Sequence, residues 1–437
     1  MENKSKKLFY NYPAIIVLIF YPILLIVLAI LYSKTFGIDK KDIIIATIGY
    51  YICNITVGIG LHRLWAHGSY KVKPWVETVL MIISAGCLQG PALIWASDHK
   101  FHHSYADGEN DPHTPVKYKN KLKGLLWAHI GWMLVSEHEN KHIDKATMLT
   151  LGRRKILLFQ LKYYWQLATF MNIIPPMILG MFIYNSYSLH AAYAGFLFVG
   201  LGRALQQQMT FCVNSVCHFK GTKEYANDSS CDVWWMAPMV LGENWHNFHH
   251  AFGRDYRNGH KWYHFDMHKW IIWGMYKLGL AWDLVITSED RINATVIEMK
   301  KNTIKPRMES LIAAAEAIAN VASIRSKEIR MFISDVTDNI CDANQIIYTE
   351  FDEIKKYLLH HSSDKIDELK YNITNKFNKV NKSLEDLQQK AKDFAEFASK
   401  KIENSRTLNL NFLEKSLKYL HKLNIEAEKL GIQYSIN

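Results

Sequence analysis

The sequence predicts an all-α, multi-pass membrane protein with four transmembrane helices, one interfacial helix and a cytosolic helical cap holding a di-metal site. Three observations carry this prediction. Four apolar runs reach the roughly 20 helical residues that a bilayer crossing needs. Hydrophobic residues make up 49% of the 437-residue chain, yet its mean hydropathy is only −0.11, so apolar and polar residues are segregated along it. Eight of the 20 histidines gather into three short boxes. So much apolar and aromatic material excludes disorder for most of the chain. Cys53, Cys87, Cys212, Cys217, Cys231 and Cys341 are scattered without a CxxC pair, which excludes a disulfide scaffold and a thiolate metal site and fits a reducing compartment.

The first expected span, residues 13–32, follows a basic head with Lys4, Lys6 and Lys7. Its apolar run is too long for a signal peptide, and no small-residue cleavage site follows. Residues 43–61 form the second. Residues 75–95 contain an uninterrupted apolar part, 79–88, that is too short to cross and is bracketed by Glu77, Gln89, Gly90 and Pro91. This segment is expected to lie as one helix on the membrane surface. The third and fourth spans cover about 163–184 and 189–213, and none of the four contains Asp or Glu. The turn 185–188 lacks Lys and Arg, whereas Arg153, Arg154, Lys155 and Lys162 precede the third span. By the positive-inside rule, residues 62–160, those after about 214, and both termini are cytosolic. Lys34, Lys40 and Lys41 in the first turn run against the rule. Between Pro306 and Gly431 there is neither Gly nor Pro, and charged residues alternate with apolar ones in helical spacing. The expected division is therefore 1–300 for the membrane domain and 301–437 for a charged helical extension without an assigned role.

His62 and His67 follow the second span directly; His99, His102 and His103 follow the interfacial segment; His246, His249 and His250 lie after the fourth span. On a helix, the HxxHH spacing places three imidazoles within roughly a 100° arc. His62 and His67, five apart, do not share a face of a straight helix; they would reach different metals or lie where the helix is broken. A helix from residue 189 of about 30 residues is roughly 45 Å long, so it projects beyond the bilayer and delivers Asn214 and His218 on one face. If residues 75–95 crossed the membrane, the first two boxes would lie on opposite sides and could not share a metal. A lone histidine is usually a core or surface residue, and the other eleven are read so. Nine nitrogen ligands exceed what one Zn, Cu, Fe or Ni ion takes, so two metals are implied. An apolar membrane substrate with no leaving group calls for an oxidant able to take hydrogen from an unactivated C–H bond, which iron with oxygen supplies and zinc does not.

From about Asn11 to Leu284 the chain closely resembles the membrane-bound stearoyl-CoA-type, delta-9 acyl desaturases. The resemblance rests on HRLWAH (62–67), WASDHKFHH (95–103), DPH (111–113), HIGW (129–132), VNSVCH (213–218), GENWHNFHH (242–250), DYRNG (255–259), WYHFD (262–266) and LGLAWDL (278–284). It implies a centre of two Fe2+ ions held by His62, His67, His99, His102, His103, His218, His246, His249 and His250, with Asn214 approaching one iron through a water. The implied reaction uses O2 and two electrons to remove two hydrogens from a saturated acyl chain, leaving a cis double bond between carbons 9 and 10. Trp65, Gln89 and Trp95 match family positions near the tunnel mouth and kink, and Asp98 matches one beside the thioester headgroup. Gly58 and Gly60 are candidates for giving the acyl chain room; the alternative is ordinary small-residue helix packing. Arg203 is an intramembrane charge and so a functional candidate, with packing or snorkelling as the other reading. Asp111, His113, His129, His264 and Asp266 are expected to engage the second nitrogen of metal-bound imidazoles or to tether helices. Ser97 departs from the family, whose animal members usually carry a basic residue there, facing CoA.

The expected partners are a fatty acyl-CoA or other acyl carrier, O2, the lipid bilayer and a separate electron donor, with no nucleic acid. No HPGG haem-binding stretch occurs, so no fused cytochrome b5 domain is expected. The donor would be a cytochrome b5, a ferredoxin or a flavoprotein, and the formal charge of +11 suits an acidic one. Abundant Lys, Asn and Ile point to an AT-rich genome and a bacterial inner membrane, or to the endoplasmic reticulum if the source is eukaryotic. The competing readings are a di-iron acyl or alkane hydroxylase or acetylenase on the same scaffold, and a metal-binding or metal-transporting membrane protein.

Overall fold

The computed structural model describes residues 9–136, 143–299 and 302. The chain divides into two compact units, Met1–Thr287 and Ser288–Asn437. The first carries every residue discussed below, while the charged extension lies outside the described residues apart from Asn302.

The first unit is mostly helical. Helix α1 (Tyr12–Phe36) and helix α2 (Lys40–Ala66) form a hairpin of 25 and 27 residues. Asp39 begins α2 with a reciprocal cap: its Oδ1 accepts from the Lys41 N–H (2.7 Å), and Asp42 Oδ2 accepts from its own N–H (2.9 Å). Helices α3 (Pro74–Gly86), α4 (Ala92–Tyr105) and α5 (Lys155–Lys162) follow. Helix α6 (Tyr164–Tyr184) ends at Asn185 in the left-handed conformation, and α7 (Leu189–Ser215) starts on Ser188, whose Oγ accepts from Ala191 N–H. The short helix α8 (His246–Ala251) and helix α9 (Met267–Lys277) complete the cap. Four two-residue strands, paired as Phe9–Tyr10 with Val135–Ser136 and Lys71–Val72 with Ala281–Trp282, clip loops together within the otherwise helical unit.

Among the described residues three helices are long and apolar enough to cross a membrane: Tyr12–Phe36, Lys40–Ala66 and Tyr164–Tyr184. The fourth expected span forms as a continuous helix of 27 residues, but it is not among these three. Its sequence explains why: His190, Arg203, Gln206, Gln207 and Gln208 dilute its apolar character. Burial makes this polarity tolerable, because α7 packs between α2 and α6 and shields Arg203, Gln206 and Gln207. The interfacial segment also differs from expectation. It is two helices, α3 and α4, separated by residues 87–91, where Leu88 and Gly90 take positive φ (53° and 93°) and Pro91 restarts the chain. The break turns α4 away from the line of α3. Gln160 of α5 bridges them, accepting from Ala92 N–H (2.8 Å) and donating to the Met81 carbonyl (2.7 Å) and Ser84 Oγ (2.8 Å).

Small residues bring the long helices into backbone contact. A Cβ on Gly195 would meet the Pro176 carbonyl oxygen at 2.1 Å, and one on Gly180 would meet that of Ala191 at 2.2 Å. Likewise Gly202 lies against the Ala46 carbonyl and Gly49 against Val199. At the end of α2 remote from the histidines, the fully buried Asp42 accepts from Tyr184 Oη (2.8 Å), and Tyr32 Oη lies 2.8 Å from His190 Nε2. This network ties α1, α2, α6 and α7 together at that end.

Close approach of this kind makes a specific demand. Gly195→Ala is expected to destabilise the folded protein by about 1–3 kcal/mol through overpacking against a rigid carbonyl. Gly274→Ala, in α9 where an added Cβ meets nothing within 4 Å, should be neutral or stabilise by up to about 1 kcal/mol. Thermal unfolding of the two variants in detergent checks the pair; equal behaviour would contradict the packing account.

Candidate metal centre

Four elements deliver the histidines. The last turns of α2, Thr56–Ala66, are π-helical, and His67 N–H bonds back to the His62 carbonyl at 3.1 Å. An i→i+5 bond brings the fifth residue back over the first. His62 and His67 therefore join one cluster, and neither a broken helix nor separate metals is needed. Helix α4 carries His99, His102 and His103, the end of α7 leads into His218, and α8 carries His246, His249 and His250.

The nine histidines come together as two groups. In the first, His62, His67, His99 and His249 offer nitrogen atoms that all lie within 4.8 Å of one another; in the second, His102, His218, His246 and His250 do the same. His103 adjoins the first, with its Nε2 2.9 Å from that of His249. Each HxxHH box is divided. His99 serves the first group and His102 the second, while His249 serves the first and His246 and His250 the second. The two boxes thus stitch both groups into one unit.

Within the groups, Nε2 atoms face Nε2 atoms. His62 and His249 are 2.9 Å apart, His67 and His99 2.8 Å, His218 and His246 3.0 Å, and His246 and His250 3.1 Å. On the far side of several rings, Nδ1 meets an oxygen. His62 meets Glu243 (2.6 Å), His102 meets Asp111 (2.9 Å), His250 meets Asp228 (2.6 Å), and His218 meets Ser229 Oγ (2.8 Å). An Nδ1–H donated to a carboxylate leaves the Nε2 lone pair free, which is how ligating imidazoles are held. Burial first, and crowding by neighbouring histidines second, push His67, His99, His103, His218, His249 and His250 well below the usual imidazole range, and His246 to about 3. Neutral imidazoles with converging lone pairs repel one another unless a cation sits between them. The residues therefore fit two metal ions.

Glu243 is the hub of the support. It accepts from His62, from His268 Nδ1 (2.8 Å), from Asn258 Nδ2 (2.8 Å) and from the fully buried Arg63 (3.0 Å). Burial alone would raise its pKa, but interaction with His62 and with the Arg63 guanidinium holds it well below the usual carboxyl range. Arg63 also donates to both oxygens of Asp266 (3.0 and 3.1 Å). Asn247, inside the last box, accepts from the Glu224 and Tyr225 N–H groups (2.8 Å each) and donates to the Ala226 and Ser230 carbonyls, shaping the loop that carries Asp228 and Ser229. Sequence reasoning missed Glu243, Arg63, Asp228, His268 and Asn247. Arg63, Glu243 and Asn247 carried a signal, as polar residues within HRLWAH and GENWHNFHH. Of the tethers expected from sequence, Asp111 and Asp266 act as described, and His113 packs on His102 with ring centroids 3.9 Å apart. His129 bonds Ser215 and Gln208, and His264 stacks on Trp245 at 3.7 Å.

A cavity of about 660 Å³ reaches this centre. Gln89, Trp95, Asp98, His99, His113 and Asn214 line it at the histidine end, and Tyr12, Val17, Leu18 and Trp165 line it where α1 and α6 begin. Trp95 stacks on His99 (4.9 Å) and donates to Gln89 Oε1 (3.3 Å). Gln89, Trp95, Asp98 and Asn214 are thus brought together. Trp65, Gly58, Gly60 and Arg203 are not among the lining residues. Trp65 is buried and donates to Glu77 Oε1 (3.0 Å), and its ring lies beside Gly60. The space at Gly58 is filled by the His268 ring, 2.1 Å from where a Cβ would stand. Arg203 donates to Gln207 Oε1 (2.9 Å) and lies over the Tyr21 ring at 5.0 Å.

Paired histidine boxes on a helical membrane scaffold, with four of the imidazoles backed by an oxygen, define a metal-dependent membrane protein. The chain matches the fatty acid desaturase family over residues 43–284, more than half its length, and belongs to that family. It is 32% identical over 259 residues to "Acyl-CoA desaturase 1" of Saccharomyces cerevisiae, covering 59% of this chain and 49% of that one. It is 30% identical over 272 residues to the "Probable acyl-CoA desaturase" of Schizosaccharomyces pombe, covering 62% and 54%. "Delta-9 acyl-lipid desaturase 2" of Arabidopsis thaliana is 31% identical over 245 residues, covering 55% and 73%. The chain spans about half the length of the two fungal relatives it matches.

The oxygen partners make a measurable demand. Glu243→Gln and Asp228→Asn should each weaken metal binding by about 10–100-fold. His190→Ala, at the opposite end of the bundle beside Tyr32, should leave it unchanged. Metal titration of the purified variants checks this, and unchanged affinity in Glu243→Gln would contradict the role given to the hub.

Proposed function

We propose that this protein is an O2-dependent desaturase that converts a saturated long-chain fatty acyl thioester, acyl-CoA in the simplest case, into a cis-monounsaturated chain between carbons 9 and 10. The observation that supports it most is the two four-histidine groups at the end of a largely apolar cavity. The metal is two irons per chain. His62, His67, His99, His103 and His249 hold one, and His102, His218, His246 and His250 hold the other, with Asn214 near the centre at the cavity wall. When bound, the iron pair supplies the oxidising power that removes hydrogen from an unactivated carbon chain.

The chain's own residues do the rest. The cavity holds a flexible chain against the centre, a positioning task. Trp95, locked by its stack on His99 and its bond to Gln89, sets the wall next to the histidines. Glu243, Asp111 and Asp228 keep their imidazoles oriented with the proton on Nδ1. Ser97, where animal relatives are usually basic, is buried, and its Oγ accepts from the Asp144 N–H at 2.8 Å. It ties a loop and offers no charge to a CoA phosphate. Electrons come from a separate acidic donor. We read the bundle α1, α2, α6 and α7 as four crossings, a reading supported by the network at Asp42, which joins Tyr32 of α1, Tyr184 of α6 and His190 of α7 at one end. Both termini and the histidines then share the cytosolic side of a bacterial inner membrane, or of the endoplasmic reticulum in a eukaryotic source.

Expression in a host lacking its own desaturase, with iron and a competent donor supplied, should yield a new cis-monounsaturated fatty acid by mass spectrometry with double-bond localisation. Alanine at any of the nine histidines should abolish it, whereas His190→Gln should not. Hydroxylated or triple-bonded chains in place of the alkene would contradict the proposed reaction.

A further inference from the structure

Between the metal-ligand positions His218 and His246 runs an apolar stretch, residues 233–242 (VWWMAPMVLG), without a single charged residue. Its base is closed. The Val233 N–H donates to the Asn244 carbonyl (3.0 Å), and Asn244 Nδ2 donates back to the Val233 carbonyl (3.2 Å). Its far end is bonded to α2, where the Met239 carbonyl accepts from Tyr50 Oη (2.6 Å) and Asn54 Nδ2 (2.7 Å). Met236 and Val240 pack into the apolar cluster formed with Met209, Cys212 and Val213 of α7. The loop therefore lies along α2 and α7, and its other face is open: Trp234 is 74% exposed, Trp235 50% and Met239 42%.

Depth decides what covers that face. Asn54 stands twelve residues beyond Asp42, about 18 Å along the axis at 1.5 Å per residue. The apolar slab is about 30 Å thick, so a carbonyl bonded to Asn54 lies within its thickness, in the half nearer the histidines. At that depth the medium beside a spanning helix is lipid. The same helix already turns Ile43, Ile44, Tyr51 and Ile52 outward, so the loop's open face continues a lipid-facing surface. The two hydrogen bonds donated to the Met239 carbonyl satisfy an acceptor that the membrane interior could not solvate. Tryptophan favours the boundary between headgroups and acyl chains.

We propose that residues 233–242 form a membrane-inserted wedge, with Met239 among the acyl chains and Trp234 and Trp235, nearer the wedge's base, in contact with lipid toward the headgroup–acyl boundary on the histidine side. The occupant of this face is the bilayer itself. The wedge's base adjoins Glu243 and His246, so lipid forms part of the outer support of the metal centre.

The test uses the full chain in lipid nanodiscs. Subtracting the emission of Trp234→Phe/Trp235→Phe from that of the parent isolates the fluorescence of these two residues. That signal should fall by about half when the lipids carry bromine near the top of their acyl chains, as expected at the boundary, and should resist aqueous iodide. Quenching by iodide without quenching by brominated lipid would place both residues in water and overturn the proposal. Quenching by neither would place them under protein and overturn it as well. The two single Trp→Phe variants give the same reading independently, and unchanged metal content certifies that each remains folded.

Discussion

The structure depends on holding nine imidazoles with their ring nitrogens turned toward one another in a buried space. Left alone, such an arrangement flies apart or takes up protons. Here burial and mutual crowding push His67, His99, His103, His218, His246, His249 and His250 below the usual imidazole range, while Glu243, Asp111, Asp228 and Ser229 fix the outward-facing nitrogens of four rings. A metal cation between the rings would complete the balance. Most of the buried polarity in the cap serves this end: Arg63, Asp266, His268 and Asn258 converge on Glu243, and Asn247 builds the loop for Asp228.

The helices are arranged to meet this requirement. Helix α2 winds into π geometry just where it leaves the bundle, so that two histidines five residues apart serve one group. Helix α4 is freed from α3 by the break at 87–91, so its HxxHH box can face that of α8. The bundle behind them is tightened by glycine contacts too close for any side chain and pinned at the other end by Asp42. Gly58 shows how far the coupling reaches. It admits His268, and His268 in turn donates to Glu243.

Much of this was legible from residues alone. The apolar runs located α1, α2 and α6, and the i, i+3, i+4 spacing identified the boxes. What stayed hidden has physical causes. A π turn has no sequence signature beyond its hydrogen bonds, so the position of His67 was undecidable. The allocation of histidines to two groups depends on how α4 faces α8, which spacing within each box does not encode. Asp228 sits in a loop without periodicity, and Arg63 was overshadowed by its histidine neighbours. The polar face of α7 is tolerable only because neighbouring helices bury it. Ten apolar residues at 233–242 are too few to register as a span, and only their bonds to Tyr50 and Asn54 reveal their depth.

The central claim is that the two histidine groups each hold an iron through nitrogen ligands. Iron K-edge X-ray absorption on the purified full chain, together with metal quantification, tests it most directly. The account predicts two irons per chain and a nearest shell of light atoms only, with the outer-shell pattern of imidazole. One metal per chain, or a sulfur contribution in the nearest shell, would contradict it.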